Sequence, residues 1–106
     1  MAFPQIVSYS YGEHSGSTEQ VIDMPSSIVA YNMLIVFFTC DNNLVSLDID
    51  VLTSGLTWNL LYSYSGSGND IYVYYKIADG DDSLTLVADK ATNGSAIAYQ
   101  ISGMDM

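Results

Sequence analysis

Arginine is missing from this 106-residue sequence, and lysine occurs only as Lys76 and Lys90. Phosphate backbones are gripped by Lys and Arg, which displace counterions, so nucleic-acid binding is all but excluded. An anionic membrane surface is excluded on the same ground. Cys40 is the single cysteine, which rules out an internal disulfide and a disulfide-stapled fold. It ends an apolar run and reads as a buried, inert thiol. The single histidine, His14, lies in a Gly/Ser-rich stretch. One His and one Cys cannot build a zinc site within the chain. The longest apolar run, Met33 to Phe38, falls far short of the ~20 residues that span a bilayer. Met1-Ala2-Phe3-Pro4 has neither a basic region nor an apolar stretch behind it, so no export signal is expected.

What remains is apolar, acidic and hydroxyl-rich. Hydrophobic residues make up 49%, so disorder for want of apolar content is excluded. Charged residues make up only 13%, about half the usual ~25%. Twelve acids against two lysines give a net charge of −10. Fourteen Ser and nine Tyr must supply much of the surface polarity. The length suits one domain, and folding should bury roughly 65% of the unfolded chain's area.

Periodicity predicts strands almost throughout. Val7, Tyr9 and Tyr11 alternate with Ile6, Ser8 and Ser10. Val45, Leu47, Ile49 and Val51 alternate with Leu44, Ser46, Asp48 and Asp50, placing the two acids toward water. Ile71 to Ile77 and Ser83 to Ala88 alternate in the same way. Met33 to Phe38 is apolar at every position and reads as a central strand covered on both faces. Asp41-Asn42-Asn43, Ser65 to Asp70, Asp79-Gly80 and Asn93-Gly94 read as turns, the last two as hairpin signals. Strands are therefore expected at 5–11, 18–22, 28–31, 33–40, 44–51, 57–63, 71–78, 83–89 and 95–102. Gly12 to Thr18 is expected to be a polar loop. The fold class is all-β, an antiparallel sandwich or jelly roll of about eight strands. Residues 1–19 form an N-terminal arm and loop, and 20–106 the sandwich domain.

Few residues carry chemistry. His14 with any of fourteen serines makes no informative nucleophile–base pair. Neither glycine-containing stretch leads into a helix with a lysine, so a phosphate cradle fails. No enzyme activity and no cofactor are expected. Asp79, Asp81 and Asp82 offer three carboxylates around Gly80, and Asp48 with Asp50 offers two more. The spacing is not that of a calcium loop, and a solvated hairpin stabilised by its Asp residues is expected. Trp58 reads as the central core aromatic. Tyr62, Tyr64, Tyr72, Tyr74 and Tyr75 cluster in one predicted hairpin, where they could stabilise the sheet, form a subunit interface or stack on sugars.

Several segments recur in a familiar order: Leu34 to Phe38, Leu56 to Leu61, Val73 to Gly80 and Ala96 to Gly103. One Trp and a Tyr-Tyr-Lys hairpin sit among them. Over roughly residues 20–103 this resembles a β-sandwich domain of tailed-bacteriophage virion proteins, of the capsid decoration (cement), head-fibre or tail-fibre type. The resemblance implies a decoration protein on the outer capsid surface, made in the host cytoplasm. It would bind the major capsid protein as a homotrimer and stabilise the shell. Its alternative is a receptor- or carbohydrate-binding fibre module. Phe3, Ile6, Val7 and Tyr9 of the arm are the expected partner-binding anchors, as an edge strand or as a strand added to a neighbouring sheet. Tyr62, Tyr64, Tyr72 and Tyr74 are the candidates for a subunit interface or ligand.

Overall fold

The computed structural model describes residues 4–41, 47–49, 58–66, 68–80 and 82–103, with the side chains of residues 14, 17, 48 and 49 left aside. The described chain is an all-β, antiparallel structure. Its six strands are β1 (Gln5–Ile22), β2 (Met33–Cys40), β3 (Leu47–Ile49), β4 (Asn59–Ser65), β5 (Asp70–Ile77) and β6 (Leu84–Ser102). They form one sheet in the order β1-β6-β2-β5-β4, with β3 pairing β6 off that path. No helix among the described residues is long and apolar enough to cross a membrane.

Strand number departs from the expected eight because two predicted breaks are bridged. Gly12 to Thr18, expected to be a loop, continues β1, and Asn93-Gly94, expected to be a hairpin turn, continues β6. The two segments pair with each other, His14 opposite Gly94 and Ser17 opposite Thr92, through register shifts on either side of Ser17. Such irregularities bend long strands without ending them. β1 therefore runs unbroken through residue 19, where the arm was expected to end. Residues 28–31 are not a strand; Ser27 and Tyr31 adopt positive φ of 56° and 75°, which turns the chain instead. Only 47–49 of the expected 44–51 strand lies within the described residues, and Asn42 and Asn43 lie outside them.

One parity faces inward along both long strands. Gln20 and Ile22 of β1 are buried, as are Leu84, Leu86, Ala88, Thr92, Ala96, Ala98 and Gln100 of β6. They meet Leu34, Val36, Phe38 and Cys40 of β2 and Tyr74 of β5 in a core that also holds Trp58 and Ala78. Because Leu84 and Leu86 pair with β1 while Leu34 to Phe38 pair elsewhere, the sheet curls so that its inner face packs on itself. Buried polar groups are tied into the curl. Gln20 Nε2 donates to the Thr92 carbonyl at 3.2 Å. Gln100 accepts from the Val29 N–H at 2.8 Å and from Asn32 Nδ2 at 3.0 Å, and donates to Ser8 Oγ at 2.8 Å. A buried amide satisfied on both ends costs little and fixes the 26–32 connection against β1.

Gly94 shows why the curl needs a residue without a side chain. A Cβ there would stand 2.8 Å from Phe38 Cε1 and Cζ and 3.1 Å from Gln20 Oε1. Phe38 is fully buried and has no free space to retreat into. Gly94→Ala should cost roughly 1–3 kcal/mol by overpacking, read as a lower urea midpoint at unchanged slope. An unchanged midpoint would show that the Phe38 ring can shift.

Candidate functional site: the outer face of the sheet

The opposite face is where the molecule departs from an ordinary two-faced sheet. An antiparallel sheet with one face on the core usually presents polar side chains on the other. Here the register lines up three apolar rows across the strands. Tyr11, Ile97, Phe37, Val73 and Tyr62 form one row from β1 to β4. Tyr9, Tyr99, Ile35, Tyr75 and Asn59 form the next. Ile6, Ile101, Met33 and Ile77 form a third. A fourth row, Glu13, Ser95, Thr39, Ile71 and Tyr64, makes a more polar rim. Glu13 is the one ionisable carboxylate or lysine in the four rows. Six of the nine tyrosines stand here: Tyr9, Tyr11, Tyr62, Tyr64, Tyr75 and Tyr99.

The apolar run Met33 to Phe38 is thus fully buried on one face only, with Met33 and Ile35 half-buried and Phe37 exposed on the other, contrary to the expectation of cover on both. Phe37, in the middle strand, is 38% exposed. Ile6, Val7, Tyr9, Tyr11, Tyr62, Tyr64 and Ile71 are exposed with it. Ring contacts hold the aromatics in place: Phe37 meets Tyr99 edge-on at 6.0 Å between centroids, and Tyr9 lies 6.2 Å from Tyr99. Tyr11 donates to Glu13 Oε1 at 2.6 Å, and that carboxylate holds the phenol above its usual pKa. Five strands and four rows cover roughly 400 Å² of flat footprint at sheet spacings, within the range of the largest patch on an ordinary monomer, which is often functional.

The expected site residues divide on this frame. Phe3 lies outside the described residues. Ile6 and Tyr9 are exposed on the outer face, and Val7 is exposed at the register shift between Ile6 and Ser8. They belong to a strand paired with β6 within the same chain, so they form an edge strand with its far side open. Tyr62 and Tyr64 are exposed. Tyr74 is a buried core residue and so not a surface contact, while Tyr72 is half-buried and packs against the core 6.5 Å from Phe38. Burial and the nearby Asp70 raise the Tyr72 phenol above its usual pKa. The cluster splits because successive residues of β5 face opposite ways. A shift between Leu60 and Tyr62 lets Tyr62 and Tyr64 join the outer face while Leu60 opposes Tyr74. Missed in the sequence were Ile35, Phe37, Ile97 and Tyr99; the signal was that 33–38 and 96–99 are apolar at both parities in a chain too short to cover both.

An open cleft of about 500 Å³ adjoins the rim, lined in part by Glu13, Asp41, Asn69 and Asn93. Much of its polarity is already engaged. Asp41 accepts from the Asn93 N–H at 3.3 Å and from Asn93 Nδ2 at 3.2 Å, and Asn93 Oδ1 accepts from the Gly16 N–H at 2.8 Å. These bonds fasten β1, β2 and β6 together where they bend. Among the described residues no three His, Cys, Asp or Glu side chains gather to hold a metal. The 79–82 turn is stabilised by an Asp as expected, the Asp79 and Gly80 N–H groups donating to Asp82, but it joins unpaired strands and is not fully solvated: the Asp82 side chain is 0% exposed and faces Lys76. Asp81, Asp50 and the side chains of His14 and Asp48 lie outside the description. Cys40 is buried, as expected of an inert thiol.

Comparison with family models, with curated proteins and with solved structures finds no match to this chain.

Proposed function

We propose that the chain is a structural attachment protein whose partner-binding surface is the uncharged outer face of its sheet. In its fuller form the proposal is a capsid decoration protein of a tailed phage, a sandwich-type domain that binds the major capsid protein on the outside of the shell and stabilises it as a homotrimer. The carrying observation is the segregation of charge. In a chain of net charge −10, Glu13 is the one acid among the described residues that stands in the four rows spanning the sheet. Like-charged subunits can approach one another only where charge is absent, and apolar faces rich in Tyr are what protein interfaces use. The β4 edge supports the self-contact: Asn59–Ser65 is exposed at every position and has neither the lysine nor the proline that usually blunts an open edge. On this reading Ile6, Val7 and Tyr9 face the shell, and Tyr62 and Tyr64 meet a neighbouring copy.

Light scattering and co-sedimentation with undecorated shells test it. The intact chain should scatter as a trimer and bind shells saturably. Phe37→Asp should abolish shell binding, a loss of at least about a hundredfold for an interface anchor worth ~3 kcal/mol, with melting nearly unchanged. Shell binding that survives Phe37→Asp would place attachment elsewhere. Six tyrosines on one face favour a second reading, a carbohydrate-binding fibre module. That reading requires glycan binding in place of shell binding.

A further inference from the structure

Lys76 is one of the chain's two lysines, yet its position in β5 turns it inward opposite Leu34, and its side chain is only 3% exposed. Its Nζ stands 2.5 Å from Asp82 Oδ1, 3.5 Å from Asp79 Oδ2 and 5.9 Å from the centre of the Trp58 ring. The Asp82 side chain is 0% exposed, whereas that of Asp79 is 50% exposed. The lysine and the buried acid are therefore sealed together under an indole, with a second carboxylate at the mouth. Gly80, at φ +101°, turns the chain back so that its own N–H points at Asp82. The Asp82 carboxyl is gripped at both oxygens: the Asp79 N–H donates to Oδ1 at 3.3 Å and the Gly80 N–H to Oδ2 at 3.1 Å.

The contact between lysine and acid is closer than a charge-assisted hydrogen bond, which runs about 2.7–2.9 Å. Even so, among the described residues Nζ has no hydrogen-bond partner. A buried ion pair whose cation is so poorly satisfied is costly to keep.

We propose that Lys76 and Asp82 condense after folding into an intramolecular isopeptide bond between Nζ and the Asp82 carboxyl carbon Cγ. A proton leaves the Lys76 ammonium for the Asp79 carboxylate, which passes it to Asp82 Oδ1. The freed amine attacks Cγ and forms the N–C bond. Negative charge gathers on Oδ2 against the Gly80 N–H, an arrangement of the oxyanion-hole kind. A second proton travels from nitrogen through Asp79 to Oδ1, the Cγ–Oδ1 bond breaks, and one water molecule leaves. One positive and one negative charge vanish together, Asp79 ends as it began, and no co-reactant is needed. Holding amine and carboxyl in contact supplies the high effective concentration that amide formation otherwise lacks, and full burial of Asp82 keeps out the water that would reverse it.

Mass spectrometry of the intact, denatured chain tests this directly. The expected mass is that of the sequence less one water. The chain offers trypsin only Lys76 and Lys90, and a lysine whose amine is acylated is not cut. The denatured chain should therefore be cleaved after Lys90 alone. Asp79-Gly80 could also lose water by closing on its own backbone, and two measurements separate the cases. Lys76→Arg cannot condense and should restore the full mass, and Asp79→Asn, which removes the proton relay, should leave most of the chain at full mass. Full mass in the unaltered chain, ready cleavage after Lys76, or a water deficit that persists in Lys76→Arg would each overturn the proposal.

Discussion

Trp58→Ala lowers the stability of this domain by roughly 3–5 kcal/mol, the cost of emptying a large core site. Trp58 is buried in the core cluster immediately before β4, and its indole Nε1–H donates to the Ser83 carbonyl at 2.8 Å. That bond joins the start of β4 to the start of β6, two segments that pair with different strands. The indole also covers Lys76, so its loss opens the one buried lysine to water. A domain of this size has about 5–15 kcal/mol in all, so the variant should sit near the edge of folding. Trp58→Phe separates the contributions. It keeps most of the apolar area but removes the indole hydrogen bond to the Ser83 carbonyl, a loss of roughly 0.5–1.5 kcal/mol. Thermal melts by circular dichroism decide between them. A fall of less than about 5 °C for Trp58→Ala, little more than 1 kcal/mol in a domain this small, would show that Trp58 is not a core residue.

Removing residues 2–11 has an effect of comparable size. Were this segment a free arm, its loss would leave melting unchanged. Residues 5–11 of it are the first part of β1, paired with β6 from Gln5 opposite Ser102 to Tyr11 opposite Ile97. It also supplies Ser8 to the buried Gln100 amide, and Ser10, whose Oγ donates to the Asp23 carbonyl at 2.5 Å. Deletion strips a ladder from β6 and leaves Gln100 short of a partner. At about 1 kcal/mol for each lost hydrogen bond, several together approach the whole stability of a small domain. The truncated chain should be recovered largely unfolded or aggregated. A truncated chain that melts as the full one does would return residues 2–11 to the status of an arm.

Much of the fold could be read from residue order because alternation is a local property. Met33–Cys40 begins and ends where its pattern does, and Gly80 takes the positive φ expected of a turn, but β5 and β6 on either side of it do not pair, so the expected Asp79-Gly80 hairpin is not formed. Trp58 and Cys40 lie in the core where an indole and a thiol at the ends of apolar runs belong. The errors arose where distant pairing overrides local preference. Gly94 was read for its freedom in φ, but what the fold uses is its missing Cβ, which clears Phe38. Gly12 to Thr18 has loop composition, but the bent half of β6 beside it supplies the pairing that holds it extended. For the site, Tyr62 and Tyr64 were legible as exposed tyrosines. Phe37 was not, because an unbroken apolar run does not say which of its faces is left bare. The inward turn of Asp82 toward Lys76 was hidden for a similar reason: it depends on the parity of a residue six positions earlier.

The pairing of Gln5 with Ser102 has a consequence for how the protein is made. The first strand to leave the ribosome finds its partner only when the last has been synthesised. Until β6 emerges, β1 lacks its pairing partner, and non-local closure of this kind is slow. Neighbouring nascent chains on one message would each display the same β1 and, later, the same β6. Exchange of β1 between them is then the characteristic failure of expression at high yield. Its products would be interlocked dimers rather than disordered aggregates.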